Sequence, residues 1–222
     1  MKVLALELST TRASLAWLDG ELRQTSNANG AMGGDEFFAS FADEWPNDRK
    51  NSGLFFENLQ RVIKKFGLPE LIVVGLGPGS YAGTRIAIST AIGLQAAART
   101  RLIGYPSVCT IEGLDSYAIV GDARRRSFYF ARVRDRNLVE DFQLFREGEL
   151  HDKINELDSD VPIVSSDLLP QFDRVQRLFP SAKILAELAY TEQPGFCVSP
   201  LEPIYLRAPH ITTPNPVAGV SP

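Results

Sequence analysis

The sequence predicts an α/β protein built from two consecutive units, each with strands first and helices after them. Two observations indicate this class. Short apolar runs bounded by turn residues recur in both halves of the chain, and each group is followed by segments whose apolar residues have helical spacing. No sequence repeat is visible, so only the order of the elements recurs. We therefore expect a duplicated α/β fold.

The first half opens on a predicted β-meander, whose strands are apolar runs at residues 3–8, 13–18 and 22–26. The Asp19-Gly20 pair is a strong hairpin turn between the last two runs. Residues 27–52 have no sustained period and indicate a loop, with a short helix suggested by Phe37, Phe38 and Phe41.

Two predicted helices enclose a predicted buried strand. Residues 54–66 carry one apolar stripe, with Ser52 as a candidate N-cap. Residues 71–75 are rich in β-branched side chains, as is typical of a strand covered on both faces. Residues 84–98 are apolar all round and rich in Ala and Gly, which predicts burial on every side. A strand at 102–104 completes this unit, and we place a domain boundary at Pro106.

The second half repeats this order. Strands are predicted at residues 117–121, 127–133, 138–145 and 161–165, and helices at 168–178 and 182–190. The chain therefore divides into domains at 1–105 and 106–207. Residues 208–222 contain Pro209, Pro214, Pro216 and Pro222, and we expect this tail to be disordered.

Composition excludes several classes of protein. The 222 residues are 44% hydrophobic and 23% charged, unlike disordered, collagenous or fibrous chains. The net charge of −4 excludes a global positive field, so any RNA contact would be local. Two distant cysteines, Cys109 and Cys197, favour a reducing, cytoplasmic location. The uncharged run 86–98 is shorter than the roughly 20 residues of a membrane span, and no secretion signal precedes Glu7.

The glycine-rich segment 77–85 is the first candidate site. A strand, a glycine turn and a helix in this order direct backbone N–H groups at one point, which can bind an anion. The candidate residues of this nucleotide or anion loop are Glu7, Ser9, Gly77, Gly79, Ser80 and Arg85. The alternative is that the glycines only permit a sharp turn and close helix packing. No acid follows the next strand and the P-loop lysine is absent, which disfavours both dinucleotide and P-loop sites.

Glu7 interrupts an apolar strand, where a charge is costly unless it is paired. An acid at this place can hold a metal–nucleotide, as in actin-like phosphotransferases. It can also pair with Arg85 or accept hydrogen bonds from nearby backbone N–H groups, and we favour this second interpretation. His151 and His210 have no second ligand at helical spacing, so the sequence predicts no metal site.

Two further surfaces are candidates. If the strand around Phe128 extends backwards, Arg124, Arg126 and Arg132 share one face with aromatic residues and could contact RNA, although such a face is more often solvated. The two apolar helices of the first half present more apolar surface than one sheet can cover, which predicts a partner. The predicted partner-binding residues are Phe55, Phe56, Leu59, Ile88, Ala91 and Leu94.

Four motifs, in order over nearly the whole chain, resemble the TsaB family, also called YeaZ. They are LALELST at 4–10, GPGSYAGTR at 77–85, DARR at 122–125 and PIYLR at 203–207. The resemblance implies an actin-like, Hsp70-like (ASKHA) fold of two βα domains.

The resemblance also implies a function. Members act as non-catalytic partners of TsaD, the transferase that forms threonylcarbamoyladenosine beside the anticodon of tRNAs reading codons that begin with A. It implies no cofactor, contact with tRNA only through the complex, a TsaE-like ATPase as a further partner, and a homodimer when TsaD is absent. The alternative is an actin-like ATPase or small-molecule kinase that uses Glu7, the glycine loop and Asp122. A protease has least support, because no nucleophile and base can be assembled.

Overall fold

The computed structural model describes residues 1–20, 41–47 and 52–207. The strands in these ranges are β1 (Lys2–Glu7), β2 (Arg12–Asp19), β3 (Phe41–Pro46), β4 (Leu71–Gly75), β5 (Arg101–Tyr105), β6 (Tyr117–Asp122), β7 (Phe128–Arg134), β8 (Asn137–Leu138), β9 (Gln143–Phe145), β10 (Ile163–Ser165), β11 (Val175–Arg177) and β12 (Cys197–Val198). The α-helices in these ranges are α1 (Ser52–Phe66), α2 (Tyr81–Ala98), α3 (Glu147–Asn155) and α4 (Ala182–Tyr190). The strand predicted at 22–26, the helix suggested at Phe37 and Phe38, and the tail from 208 lie outside the described residues.

The described strands form two sheets. The first has the order β12-β5-β4-β1-β2-β3, and its central strands β1, β4 and β5 are parallel. The second has the order β11-β10-β6-β7-β8, with β9 also paired to β7, and its strands β6, β10 and β11 are parallel. The carboxyl ends of parallel strands therefore meet at one edge of each sheet, which is where open α/β sheets form sites.

Apolar side chains point alternately to the two faces of the first sheet along its central strands, and both faces are covered by helices. Leu4, Leu6 and Ile72 pack on one face with α1 and α2. Val3 and Ala5 point to the opposite face and pack with α4. Because both faces are covered, every residue of β4 is buried, as its β-branched composition predicts.

Elements from the C-terminal part complete the first sheet. Helix α4 packs against β1, β2 and β4, and β12 pairs with β5 at the edge. The predicted division of the chain at Pro106 stays a prediction. None of the helices within the described ranges combines the length and apolar character that crossing a bilayer requires.

Several predicted elements are wrong. Phe41 begins strand β3 rather than a helix, and the single strand predicted at 138–145 is two short strands, β8 and β9, on the same neighbour. No helix forms at 168–178: Leu169 and Phe172 are buried with a helix-like spacing, but the chain turns there. Pro170 lies between them and lacks the N–H that a helix interior uses.

The missing helix is replaced by strand β11, which pairs in parallel with β10, Ile163 lying opposite Val175. Helix α3 was not predicted, because its sequence is largely charged and buries only Leu150 and Ile154. The N–H of Arg146 donates to Glu149 Oε2 at 2.7 Å and closes its first turn.

Candidate functional site

The glycine loop lies directly on the turn after β1. A side chain at Gly79 would overlap the carbonyl oxygen of Ser9, and one at Gly83 would overlap that of Leu8. The N–H of Ser80 donates to Ser9 O at 2.5 Å, so the two turns are also hydrogen-bonded. The glycines are therefore required for close approach of two backbone segments. In this arrangement the chain itself fills the space in front of Gly79 and Gly83.

Four amide groups of the loop, those of Gly77, Ser80, Gly83 and Thr84, have acceptors within the chain. The N–H of Gly77 donates to Ser107 Oγ at 2.9 Å, and that of Gly83 donates to Ser80 Oγ at 3.1 Å as the N-cap of α2. The N–H of Thr84 donates to Ser80 O at 3.0 Å. The loop as folded thus uses these donors for its own structure, and the geometry favours the packing interpretation over the anion cradle.

Glu7 is fully buried behind this loop. Its Oε1 accepts a hydrogen bond from the N–H of Ser9 at 2.7 Å, as the capping interpretation predicts. It does not pair with Arg85, whose guanidinium instead lies 3.4 Å from the ring centroid of Tyr81 and 5.2 Å from that of Tyr205. A side chain at Gly75 would overlap Glu7 Oε2, so this glycine makes room for the carboxylate.

Burial raises the pKa of Glu7 from its ordinary value of 4.5, and hydrogen bonds from Ser107 and Ser9 oppose this only in part. A raised pKa in the folded state means that protonation favours folding. The stabilisation is complete below the unfolded pKa of 4.5 and is lost as pH rises through the folded pKa. Ionised Glu7 therefore reduces the free energy of unfolding at neutral pH.

We expect Glu7→Gln to remove this pH dependence. The amide keeps an acceptor for the Ser9 N–H but carries no charge, so the variant should be more stable than the native chain above the folded pKa of Glu7. Urea unfolding of both proteins between about pH 4 and 8 measures the difference, and other titrating groups cancel in the comparison. A difference that stays constant with pH, or a less stable variant at neutral pH, would show that the ionised carboxylate is well accommodated.

Asp122 and the three arginines that follow it form the tight turn between β6 and β7. Asp122 accepts hydrogen bonds from the backbone N–H of Arg124 at 2.7 Å and from its guanidinium at 3.0 Å. Arg124, Arg125 and Arg126 have φ of 63°, 56° and 57°, so these residues form a left-handed turn. Asp122, which the ATPase or kinase alternative would use, therefore holds this turn closed.

The predicted arginine face is not continuous. Strand β7 begins at Phe128, so Arg124 and Arg126 lie in the turn while Arg132 lies within the strand. At about 3.3 Å per residue, Arg132 is about 13 Å along the strand from Phe128. The interleaved aromatic residues Phe128 and Phe130 are buried with α3 and cannot stack on a nucleobase.

Most of the predicted partner-binding side chains face the chain's own core. Phe55 and Leu59 on α1, and Ile88 and Ala91 on α2, are at most 7% exposed and pack on the first sheet. Phe56 is 52% exposed, and Leu94 is partly buried. We therefore correct the predicted set: these four buried residues are not available to a partner.

The side of the two helices that points away from the sheet carries different apolar residues, and we call it the outer face. On α2 it consists of Ser89, Ile92, Gly93, Ala96 and Ala97, while on α1 Leu54 and Phe56 are exposed on opposite sides of the buried Phe55. Ile92 is 46% exposed, and a side chain at Gly93 would meet nothing within 4 Å. Because α2 is apolar all round, its sequence has no period that separates this face from the buried one.

No group of three or more His, Cys, Asp or Glu side chains that could hold a metal ion occurs in the described ranges. His151 instead packs on Phe172, with ring centroids 4.5 Å apart. His210 lies outside the described residues.

No family model matches this chain, and no curated protein matches it. Two solved structures from Pseudomonas aeruginosa are similar. A protein described as similar to the peptidase YeaZ is 19% identical, with a TM-score of 0.68 over 93% of this chain and 99% of that one. YeaZ itself is 18% identical, with a TM-score of 0.65 over 92% of this chain and 100% of that one. The chain therefore has the YeaZ fold, which confirms the predicted α/β fold of the actin-like, Hsp70-like class.

Proposed function

We propose that this chain is a non-catalytic scaffold that pairs through its outer face with a TsaD-like transferase. The complex would form threonylcarbamoyladenosine beside the anticodon of tRNAs reading codons that begin with A. The observation that carries the proposal is the outer face, where Ile92 is 46% exposed on α2, together with Phe56, 52% exposed on α1, the other helix that packs on the first sheet. The YeaZ fold and the four sequence motifs supply the identity of the partner.

The shape of the outer face suits another pair of helices. Helix α2 exposes Gly93, Ala96 and Ala97, and small side chains let a facing helix approach closely. Ile92 on the same helix, and the exposed Leu54 and Phe56 on α1, offer larger apolar side chains for contact with a partner. Exposed apolar groups that cluster in this way are typical of protein–protein interfaces.

The structure of the glycine loop supports a role without catalysis. An actin-like ATPase or kinase would place phosphate groups against this loop, but the backbone of Leu8 and Ser9 lies there. That alternative requires the loop to move away from the turn after β1, breaking the hydrogen bond from Ser80 to Ser9.

The other partners follow from the same proposal. Without the transferase, the outer face would pair two copies of this chain as a homodimer. A TsaE-like ATPase and tRNA would join through the complex, with the exposed Arg124, Arg126 and Arg132 as the candidates for phosphate contacts.

Reconstitution of tRNA modification tests this function. We expect purified TsaD-like transferase, supplied with its activated substrate and tRNA, to need this chain for turnover, while the chain alone modifies no tRNA and hydrolyses no ATP. Gly93→Arg should abolish the stimulation, because the charge would be buried in the interface. Gly148→Arg, the same substitution at an equally open glycine on helix α3 of the second sheet, is the control. Robust ATP turnover by the chain alone, lost in Glu7→Ala, would favour the kinase alternative.

A further inference from the structure

A cavity of about 400 Å³ lies between the two halves of the chain, apart from the outer face and the glycine loop. Thr11, Arg12, Glu44 and Trp45 line it from the first sheet, and Arg177 and Phe179 line it from the segment that begins in β11. Its volume is within the range of about 300–1,000 Å³ typical of small-molecule sites.

One aromatic ring holds both guanidinium groups of the cavity. Arg12 Cζ lies 4.6 Å from the ring centroid of Phe179, and Arg177 Cζ lies 5.1 Å from it. Cation–π contacts at these distances restrict both side chains. Both cations are therefore held at this ring, within the lining of one cavity, before any ligand arrives.

The charges of the cavity are not balanced. Arg177 donates to two neutral oxygens, Ser166 O at 3.3 Å and Thr11 Oγ1 at 3.5 Å, and makes no ion pair within the described residues. Arg12 pairs with Glu44 at 3.3 Å, but both side chains are about half exposed, which weakens the pair. The site thus carries one more positive than negative charge.

We propose that this cavity binds the phosphate group of a nucleotide-sized phosphate ester. Guanidinium groups offer only donors, in a fork that matches phosphate oxygens. A phosphate has enough oxygens to contact both forks and the Thr11 hydroxyl together, whereas a carboxylate has two. The apolar wall formed by Trp45 and Pro46 would contact the body of the ligand. The ester is either a free nucleotide or one unit of an RNA strand.

Binding is tested with adenosine 5′-monophosphate, inorganic phosphate and a short single-stranded RNA as probes, by calorimetry on the full chain. Fluorescence gives a second readout, since the sequence has two tryptophans, Trp45 at the cavity and Trp17 inside the core. We expect saturable binding that Arg177→Ala weakens about tenfold or more, as for loss of charge-assisted hydrogen bonds. Glu44→Gln should tighten binding by removing a negative charge, and Arg101→Ala should leave it unchanged.

The probes separate the sources of phosphate. Binding of adenosine 5′-monophosphate identifies a free nucleotide, and salt-sensitive binding of RNA alone identifies a strand. The proposal is overturned if no probe binds saturably, or if Arg177→Ala, shown to be folded by circular dichroism, binds as tightly as the native chain. Pairing through the outer face should be the same in Arg177→Ala, so failure of this site would leave the proposed scaffold function standing.

Discussion

Ile92→Arg is expected to convert a homodimer of this chain into a monomer while leaving the fold intact. The Ile92 side chain is 46% exposed on the outer face, so a longer charged group reaches water in the monomer. In the dimer the same charge would be desolvated without a partner, at an expected cost of about 2 kcal/mol or more, which is about 30-fold in affinity. Light scattering across a concentration series measures the change.

Ala91, the residue before Ile92, should respond differently to the same substitution. Ala91 is 0% exposed against the first sheet, so Ala91→Arg places a charge inside the core at a cost of several kcal/mol. We expect this variant to unfold or aggregate rather than to dissociate. If Ile92→Arg stays dimeric, or if the native chain is monomeric at every concentration, two copies do not pair through the outer face.

Two glycines of helix α2 should respond in opposite directions to the same substitution. The Cβ of Gly83→Ala would overlap the carbonyl oxygen of Leu8, so the helix must move off the turn after β1. Overpacking of this kind costs about 1–3 kcal/mol. Gly93 has no atom within 4 Å of the added Cβ, so Gly93→Ala should gain up to about 1 kcal/mol from helix propensity.

Urea unfolding of the two alanine variants gives both changes directly. Because both glycines lie in helix α2, Gly93→Ala measures the gain in helix propensity alone. The difference between the two variants then gives the cost of the contact between residue 83 and Leu8 O. Equal stabilisation of both variants would mean that the loop does not rest on Leu8. Space for an anion would then exist in front of the loop, and the ATPase or kinase alternative would regain support.

Local signals predicted much of the fold. Strand β4 and helix α4 have the predicted bounds, because a short β-branched run and an apolar helix are decided largely by their own residues. The segment at 168–178 was mispredicted because its structure depends on the pairing of β11 with β10, which the spacing of its apolar residues does not show. Helix spacing of Leu169 and Phe172 also fits a turn that buries both residues.

The sites were predicted less well because they depend on contacts between segments that are distant in sequence. The glycines of the loop indicate a close approach, but only the folded chain shows that the approaching group is the backbone of Leu8 and Ser9. The uniform apolar character of α2 gave no way to separate Ala91, which faces the sheet, from Ile92, which faces outward. The cavity joins Thr11 to Arg177, 166 residues apart, and no local pattern connects them.

Calorimetric titration of this chain with the TsaD-like transferase of the same genome tests the scaffold proposal most directly. We predict saturable association with one copy of each protein. Gly93→Arg should abolish it, and Gly148→Arg on helix α3 should leave it unchanged, with both variants as stable as the native chain. Absence of binding by the native chain, or equal binding by native chain and Gly93→Arg, would contradict the account.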